Sequence, residues 1–462
     1  MPKGGDLHNH LSGSVYAEDF LRWADEDGDC VSLADYRLRA PPCGADQAPA
    51  RGLAARDPAL YARTVDALSM RNFVAGQPQF SGHDRFFSTF GKFQALGQRR
   101  VEALAAVLEQ AARDHVGYVE LIVNPSAAKA LAEAALRRPW QPGQFAAESR
   151  QLDPALPAAV AASIQELDQV QARLRERLRC DTAQARPGCA VSYRYLAYAD
   201  RAMPQAYVFA QIALGYALVK ADPRFVGVNI VDPEDNPVAL ADYRAHMAMF
   251  AFFAARDPQV RLSLHAGELT LGLVPPAELG FHIREAVAAG AQRIGHGVDI
   301  AYEDDAPSLL AQMRRRRVAV EINLTSNDVI LGVKGVQHPL SMYLRAGVPL
   351  VLSTDDAGVS RSDLTHEYQR AVQEQGLDYP ALKQIARNAL RYAFLPGDSI
   401  WAEDGTVPSP ACAAPLAAAV LPRRPADPRC AALLQASEKA RLQWQLEADF
   451  AAFETRALRS PY

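Results

Sequence analysis

The sequence predicts an α/β protein built as a (β/α)8 TIM barrel. Eight short β-rich runs recur along the 462 residues, and longer helical patterns separate most of them. Several runs, such as YVELIV and VPLVLS, are almost continuously apolar, as expected for parallel strands covered on both faces. The chain has no Gly-rich phosphate loop, which favours a barrel over a doubly wound sheet.

The predicted strands lie in chain order at Gly5–Leu11, Gly117–Val123, Val191–Tyr198, Phe225–Val231, Val260–His265, Arg293–Gly297, Val318–Leu324 and Val348–Thr354. Among the intervening helices, the segment SIQELDQVQARLRERLR shows the clearest apolar face. That face consists of Ile164, Leu167, Val170, Leu174 and Leu178.

Two regions do not follow this alternation. Residues 25–75 predict an irregular insertion after the first strand, and the Pro/Ala-rich residues 398–432 follow the last barrel helix. A helix from Ala431 to Leu458 is predicted to close the chain. We therefore expect a barrel domain over residues 1–397 and a C-terminal extension over residues 398–462 that packs on it.

The composition excludes several classes of function. The chain carries 49 Lys+Arg and 53 Asp+Glu, and this small, evenly mixed net charge of −4 argues against a nucleic-acid binder. An apolar content of 49% with 22% charged residues excludes global disorder. No apolar run reaches the eighteen residues that a membrane span needs. These properties are typical of a soluble globular protein that acts on a small molecule.

Six cysteines form three couples that are close in sequence, and each couple flanks a loop-like segment. The couples are Cys30 with Cys43, Cys180 with Cys189, and Cys412 with Cys430. Three local disulfides indicate an exported protein, whereas six unrelated thiols indicate a cytosolic one. The opening residues show no signal peptide, although a leader could have been removed. The sequence favours export slightly and leaves the compartment open.

Histidines and carboxylates cluster at the predicted carboxyl ends of strands, where barrel enzymes place their active sites. His8 and His10 alternate on the first strand, so both imidazoles face the same side. His265 ends the fifth strand, His296 ends the sixth, and Asp355 follows the eighth. Three imidazoles and one carboxylate suit zinc or a similar divalent ion, which lowers the pKa of a bound water to about 7.

Two further residues complete the predicted chemistry. Glu268 lies three residues after His265 and is positioned to act as a general acid rather than a ligand. Asp356 follows Asp355 and, with His296, is expected to face the substrate or to support the ligands. A deaminase site of the cytidine type needs a PCxxC motif, which occurs nowhere here.

The motifs HNH, LHAGE, RIGHG, TSN, HP and STDD, in this order, resemble the adenosine deaminase family. The resemblance runs from Pro2 to about Pro396, and the opening PKGGDLHNH is similar to the secreted, growth-factor-related branch. It implies one zinc ion per chain and the conversion of adenosine to inosine and ammonia. It also implies a mononuclear site, because the fourth strand, FVGVNIVD, carries no metal-bridging lysine.

The same resemblance implies a role for each site residue. The zinc ligands would be His8, His10, His265 and Asp355. Glu268 would protonate purine N1, His296 would orient the zinc hydroxide for attack on C6, and Asp356 would hydrogen-bond N7. Ser326, Asn327, His338 and Pro339 match family motifs and are interpreted mainly as strand-end and loop structure.

Two departures lie in the expected nucleoside pocket. Ser12 stands where the family usually has an aspartate that meets the ribose 5′-hydroxyl, and Asp232 stands where it usually has a glycine at purine N3. Adenosine and 2′-deoxyadenosine are therefore the leading substrates, with another 6-aminopurine nucleoside or an N6-substituted one as the alternative. A non-catalytic adenosine-binding signalling protein is a third hypothesis. A monomer or a weak homo-oligomer is expected.

Overall fold

The computed structural model describes residues 1–74, 81–93, 99–402, 407–417 and 421–459. Eight parallel strands form two four-stranded sheets, the first from strands one to four and the second from strands five to eight. Labelled in chain order, they are β1 (Gly4–His10), β2 (Val116–Ile122), β3 (Ser192–Asp200), β4 (Phe225–Val231), β5 (Ser263–Ala266), β6 (Arg293–His296), β7 (Ala319–Ile322) and β8 (Leu350–Leu352). Each predicted strand overlaps one of these.

Two seams join the sheets into a closed barrel. Between β4 and β5, the Val228 N–H donates a hydrogen bond to Arg261 O at 3.0 Å. Between β8 and β1, Asn9 pairs with Asp355, whose N–H donates to His8 O at 2.8 Å. The prediction of a (β/α)8 barrel is confirmed.

Helices cover the outside of the barrel, so strands such as β4 are buried along their whole length. The helix Leu156–Leu178 buries the apolar face that its sequence predicted, except that Ile164 is only half-buried. The α-helices are Ala17–Asp27, Leu53–Arg56, Pro58–Ala67, Gly82–Phe90, Arg100–Arg113, Ser126–Ala135, Phe145–Leu152, Leu156–Leu178, Gln205–Ala221, Pro237–Arg256, His282–Ala288, Ala306–Arg316, Leu324–Leu331, Leu340–Ala346, Ala357–Ser360, Leu364–Gln375, Tyr379–Tyr392, Ala413–Leu416, Pro428–Ala436 and Glu438–Arg459.

A buried ion-pair network crosses the inside of the barrel. Arg293 on β6 lies with Nη2 2.5 Å from Glu120 Oε2 on β2 and with Nε 2.5 Å from Glu321 Oε1 on β7. The guanidinium also lies over the Phe394 ring, 3.8 Å from its centroid. Buried charges are tolerated when each one is paired and hydrogen-bonded. The network fixes Glu321, which in turn contacts the site described below.

The insertion after β1 contains more regular structure than its sequence predicted. Three short antiparallel strands form a small sheet, at Cys30–Ser32, Leu38–Arg39 and Gln47–Pro49. Two helices, Leu53–Arg56 and Pro58–Ala67, follow it. The prediction of an irregular segment missed these elements because strands of two or three residues are too short to show a periodic pattern.

All six cysteines are paired, and the pairs are the three couples that the sequence indicated. The disulfides join Cys30 to Cys43, Cys180 to Cys189 and Cys412 to Cys430. Three disulfides are compatible with an exported protein. Within the described residues, no helix has the length and apolarity needed to cross a membrane.

The predicted single helix from Ala431 to Leu458 is wrong. Two helices occupy this region, Pro428–Ala436 and Glu438–Arg459, and Ser437 separates them in an extended conformation. The Ser437 hydroxyl accepts a hydrogen bond from the Ala440 N–H at 3.0 Å and donates one to Asp398 O at 2.6 Å. Serine competes with the helix in this way because its side chain can cap a new N-terminus.

Candidate active site

The predicted site residues meet at the carboxyl end of the barrel, around a cavity of about 460 Å³. Eight of the nine line this cavity: His10, Ser12, Asp232, His265, Glu268, His296, Asp355 and Asp356. His8 is fully buried beside them, with its ring centroid 4.4 Å from that of His265. Strand ends far apart in the sequence thus form one site.

Three of these residues sit just past or at strand ends in left-handed backbone conformations. The φ angles are 78° for Asp232, 69° for His296 and 57° for Asp355. Residues other than glycine rarely adopt such angles, and they cluster at functional sites where surrounding structure holds them. The conformation of Asp232 fits a position where glycine would be the usual residue.

The two histidines of β1 are held in different ways. His8 donates from Nδ1 to Glu321 Oε2 at 2.7 Å, so in the neutral ring the lone pair lies on Nε2. Within the described residues this Nε2 makes no hydrogen bond, and it faces Asp355 Oδ1 at 3.5 Å. His10 places its Nε2 3.3 Å from the same carboxylate oxygen.

His265 on β5 completes the group of imidazoles. Its Nδ1 donates to Asn229 Oδ1 at 2.9 Å, which again leaves a lone pair on Nε2. That Nε2 lies only 3.1 Å from His10 Nε2. Two imidazole lone pairs this close to each other and to a carboxylate form a cradle that a cation would fill.

The protonation states also suit a cation. Burial and the neighbouring imidazoles lower the pKa of His265 well below its ordinary value, and burial lowers that of His10 to about 4. Although burial opposes ionisation, the facing histidines His8 and His296 hold the pKa of Asp355 well below its usual range. Burial also opposes charging of His8, but Asp355 and Glu321 raise its pKa to about 10. A metal ion would displace that proton from Nε2.

The residues therefore fit a zinc ion, because three nitrogen donors and one carboxylate converge with outer partners fixing the imidazoles. The geometry offers two ligand sets. Ligand atoms of His8, His265, His296 and Asp355 all lie within 4.8 Å of one another, whereas His10 approaches His265 and Asp355. Either His10 or His296 can thus be the third imidazole.

Glu268 differs from Asp355 in its protonation state. Burial raises the pKa of Glu268 well above its ordinary value, and the charges of Asp355 and Glu234 raise it further. The loop that carries it is fixed by Glu234, which accepts hydrogen bonds from the Gly267 N–H at 3.0 Å and from the Glu268 N–H at 2.8 Å. Glu268 therefore carries a proton that it can donate into the cavity.

Asp356 also holds a proton, because burial and the adjacent charge of Asp355 raise its pKa well above the usual range. Its Oδ1 is buried and has no hydrogen-bond partner in the described part of the chain. A Cβ atom added at Gly13 would lie 1.7 Å from this oxygen. The glycine thus allows Asp356 to sit where it does, with a carboxyl oxygen left for a ligand.

Asn327 contacts His296 directly, and His338 contacts Asn327, so their interpretation as mainly structural residues was incomplete. Asn327 Nδ2 lies 2.9 Å from His296 Nδ1, and His338 Nε2 lies 3.0 Å from Asn327 Oδ1.

Sequence reasoning also missed Asn229 and Glu321, which orient His265 and His8. Each is a polar residue inside an apolar strand, FVGVNIV or AVEI, and that signal could have identified them.

The rim of the cavity was not predicted either. Three aromatic side chains of the helix Gly82–Phe90 form one wall, and polar side chains from other elements lie opposite. These rim residues are Phe86, Phe87, Phe90, Arg100, Asn124, Tyr198 and Asp200.

A family model described as adenosine deaminase matches residues 57–401, well over half of the chain. The chain belongs to the adenosine deaminase family. The family resemblance of its motifs is thereby confirmed. The matched segment includes His265, Glu268, His296 and Asp355. It begins after His8 and His10, so the inclusion of these two residues in the candidate site rests on the geometry of β1.

Relatives of this adenosine deaminase family member match it over a shorter segment. It is 38% identical to the adenosine deaminase of Serratia proteamaculans over 145 residues, which is 31% of this chain and 41% of that protein. Identity to the adenosine deaminase of Enterococcus faecalis is 34% over 145 residues, which is 31% of this chain and 40% of that protein. The matched segment spans about two-fifths of these curated relatives.

Solved structures share the fold over most of the chain. An adenine deaminase from Arthrobacter aurescens superposes with a TM-score of 0.54 at 17% identity, covering 86% of this chain and 95% of that one. An N6-mAMP deaminase from Arabidopsis gives a TM-score of 0.54 at 22% identity, covering 86% and 94%. At these identities the likeness concerns the fold of the adenosine deaminase family member.

Proposed function

We propose that the protein is a zinc-dependent aminohydrolase that converts adenosine or 2′-deoxyadenosine to the corresponding inosine nucleoside and ammonia. The observation that carries this proposal is the convergence of ligand atoms of His8, His265, His296 and Asp355 within 4.8 Å of one another, beside the buried carboxyl groups of Glu268 and Asp356. The imidazoles hold the pKa of Asp355 well below its usual range, while burial and the charge of Asp355 raise the pKa of Glu268 and of Asp356. This arrangement supplies a metal site and two proton donors within the same small volume.

The proposed ligands are His8, His10, His265 and Asp355, which hold one zinc ion per chain. Zinc at this position supplies a Lewis acid that activates the attacking water. The chain provides the other parts of the reaction. Glu268 protonates a ring nitrogen, so that the aromatic ring accepts electron density when water adds to the adjacent carbon.

A 6-aminopurine fits these donors. Purine N1 and N7 flank the C6 amino group on opposite sides, and both are hydrogen-bond acceptors. A protonated Glu268 would donate to N1, and a protonated Asp356 would donate to N7. The two carboxyl groups would thus form hydrogen bonds with the ring on both sides of the reacting carbon. The phenylalanines of the helix Gly82–Phe90 provide an apolar surface for the base.

The charge of the cavity favours a nucleoside over a nucleotide. Asp200 and Asp232 line it at the ends of β3 and β4. The cation that lines it, Arg100, is already engaged, because its guanidinium contacts Glu166 and donates to Asn124 O at 3.1 Å. Two carboxylates and a neutralised arginine would repel a 5′-phosphate. We assign Asp232 and Ser12 to contacts with the nucleoside.

An alternative is the same chemistry on another 6-aminopurine nucleoside or on an N6-substituted one. The Arabidopsis relative of the same fold is described as an N6-mAMP deaminase, which motivates the alternative. A non-catalytic adenosine-binding protein is less consistent with the site. Binding alone needs neither a buried protonated Glu268 nor a cradle for a metal ion.

The remaining proposals concern the whole chain. We assign the chemistry to residues 1–397 and treat residues 398–462 as an extension that packs on the barrel. Bidentate hydrogen bonds of 2.7 Å from Arg387 to Glu447 support this contact. The three disulfides support export to an oxidising compartment. A monomer or weak homo-oligomer that binds neither nucleic acid nor membranes completes the proposal.

The test uses purified full-length protein loaded with one equivalent of Zn²⁺. Adenosine, 2′-deoxyadenosine, N6-methyladenosine and AMP are compared by the loss of substrate ultraviolet absorbance. Ammonia or methylamine is measured in parallel. We expect zinc-dependent conversion of the two unmodified nucleosides with one ammonia released per product. Turnover of N6-methyladenosine alone would support the alternative, and failure of the fully loaded protein to convert any compound would refute the proposal.

A further inference from the structure

Asn327 and His338 form a chain of hydrogen bonds that leads from His296 away from the cavity. Asn327 Nδ2 lies 2.9 Å from His296 Nδ1, and His338 Nε2 lies 3.0 Å from Asn327 Oδ1. At the far end, the Leu340 N–H donates to His338 Nδ1 at 3.1 Å. All three side chains are buried, with exposures of 0% for His296 and Asn327 and 1% for His338.

The backbone amide at the end of this chain determines the proton positions along it. A backbone N–H can only donate, so His338 Nδ1 must carry a lone pair, and the ring proton of His338 lies on Nε2. That N–H requires an oxygen acceptor, which places Oδ1 of Asn327 toward His338 and Nδ2 toward His296. The amide then donates to His296 Nδ1, which must also carry a lone pair.

The proton of neutral His296 therefore lies on Nε2, the nitrogen that faces Asp355, whereas Nδ1 lies 3.5 Å from Glu268 Oε1. His296 Nε2 lies 3.8 Å from Asp355 Oδ2. Because Nδ1 accepts from the amide, the proton on Nε2 is the only proton of the neutral ring, and binding a metal ion through Nε2 would require its loss to leave an imidazolate anion. Asn323 Nδ2 lies 3.5 Å from both ring nitrogens and does not distinguish between them.

This arrangement is opposite to that of the neighbouring imidazoles. His8 and His265 donate from Nδ1 to Glu321 and Asn229, so their Nε2 atoms keep the lone pairs that a metal ion needs. At His296, the amide N–H of Asn327 faces Nδ1, where His8 and His265 have an oxygen acceptor, and the ring proton therefore lies on Nε2 instead of Nδ1. The distances alone leave His10 and His296 as rival third imidazoles, and the hydrogen-bond chain separates them.

We propose that Asn327 and His338 are positioning residues that hold His296 as its Nε2–H tautomer, which makes His296 a hydrogen-bond donor in the site rather than a metal ligand. This inference rests on the proposed function in one respect, namely that the hydrogen bond donated by His296 Nε2 serves deamination. The tautomer itself is a property of the folded chain, and it can be measured without substrate.

The direct test is ¹⁵N nuclear magnetic resonance of protein labelled at histidine, in metal-free and zinc-loaded forms. The His296 signals are assigned by their loss in His296→Ala. We expect the ¹⁵N shifts of His296 to report an unprotonated Nδ1 and a protonated Nε2 in both forms. A proton on Nδ1 in the native protein would overturn the inference, whether or not variants of Asn327 and His338 fold.

Variants test whether Asn327 causes this state. Asn327→Asp replaces the amide donor by an acceptor, so the ring proton should move to Nδ1. We expect kcat to fall about 100-fold, the scale of a positioned proton donor, while KM changes less than about threefold and zinc content stays at one per chain. An unchanged His296 tautomer in folded Asn327→Asp protein would overturn the role of Asn327.

Two controls separate positioning from a general structural effect. His338→Gln keeps a side-chain N–H near the position of His338 Nε2, so it should retain the native tautomer and kcat within about fivefold. Ser326→Ala alters the neighbouring buried residue, whose hydroxyl has no hydrogen-bond partner in the described part of the chain. It should leave both readouts unchanged. If the tautomers behave as expected but no nucleoside is deaminated, the proposed function fails and this inference stands.

Discussion

Two neighbouring carboxyl groups, Asp355 and Glu268, are held in opposite protonation states by what each one faces. Imidazoles surround Asp355 and stabilise its anion. Glu268 is buried and faces the anion of Asp355, which makes a second negative charge costly. At the scale of single residues, this division of charge separates the proposed metal ligand from the proposed proton donor.

Glu268→Gln tests this division. Glutamine keeps the size and hydrogen-bonding ability of a protonated glutamate but cannot release a proton to the base. We expect kcat to fall by about 10²–10⁴-fold or more, with zinc content and nucleoside binding almost unchanged. Metal analysis, ligand titration and steady-state kinetics measure these three quantities. Loss of zinc from the variant would instead identify Glu268 as a ligand.

Gly13→Ala should disable the site without unfolding the barrel. The added methyl group would lie 1.7 Å from Asp356 Oδ1 and 2.6 Å from Asp356 Cβ, so the whole Asp356 side chain and the backbone beside it must shift. We expect at least a tenfold loss of kcat/KM, since misplacement of about 1 Å can cost 10²-fold. Gly272→Ala is the matched control, because its nearest neighbour, Thr270 Oγ1, lies 3.5 Å away. Equal activity of the two variants would contradict the close approach.

Asp232 should make the preference for nucleoside over nucleotide depend on pH. Desolvation and the charge of Asp200 raise the pKa of Asp232 to about 6. The carboxyl group is neutral below that pH and negative above it, so repulsion of a 5′-phosphate increases as pH rises. The measurement is the ratio of kcat/KM for adenosine to that for AMP between pH 5 and 8.

In Asp232→Asn the rise of this ratio should be smaller. The phosphate itself gains charge over the same range, with a second pKa of about 6, so the difference between native and variant profiles isolates the carboxylate. Parallel profiles would show that the charge of Asp232 does not act on the 5′-phosphate.

At the scale of elements, strand ends bring the site together and capping residues divide the helices. Ser437 ends the helix Pro428–Ala436 and caps the helix Glu438–Arg459. Its hydroxyl also donates to Asp398 O, which links the extension to the segment that leaves the barrel. One side chain therefore stabilises both a helix end and a contact between segments.

Ser437→Ala should lower the free energy of unfolding by about 1 kcal/mol, with losses of 0.5–2 kcal/mol typical of helix caps. Denaturant unfolding followed by circular dichroism measures the change. Thr455→Ala is a suitable control in the same helix, because Thr455 is exposed and, among the described residues, its hydroxyl donates to Ala451 O within its own helix. Similar losses in both variants would argue against a specific capping role.

An element could be predicted from the sequence where a few consecutive residues determine it, and could not where distant residues do. The strands and the convergence of the histidines and aspartates at their ends were predictable because apolar runs and strand ends are visible in a few consecutive residues. Asn229 and Glu321 were missed because their roles depend on histidines from other strands. The break at Ser437 was missed because a hydroxyl cap competes with an otherwise continuous helical pattern.

At the scale of the whole molecule, the disulfides and the metal site are separate means of stabilisation. Each disulfide closes a short loop, with sequence separations of 13, 9 and 18 residues. None of the proposed zinc ligands is a cysteine. Reducing the disulfides should therefore affect the free energy of unfolding without removing a metal ligand.

The expected cost of reduction is about 2–4 kcal/mol for each disulfide lost. Reduced and alkylated protein should unfold at a lower temperature, measured by calorimetry, yet keep its zinc at low temperature. Mass spectrometry without reductant should first show the mass deficit of three bridges. Alkylation of all six thiols in non-reduced, denatured native protein would contradict both the pairing and the proposal of export.

The β8–β1 seam has a consequence for the timing of synthesis. The residues on its two sides are almost a whole chain apart, since Asn9 and Thr354, which are hydrogen-bonded across it, are separated by 345 residues. At ribosomal rates of about 5–20 residues per second, roughly 17–70 s pass between the synthesis of His8 and that of Asp355. A growing chain therefore lacks one side of the proposed zinc site during most of its synthesis. The ion can be captured only once the last barrel strand closes against the first.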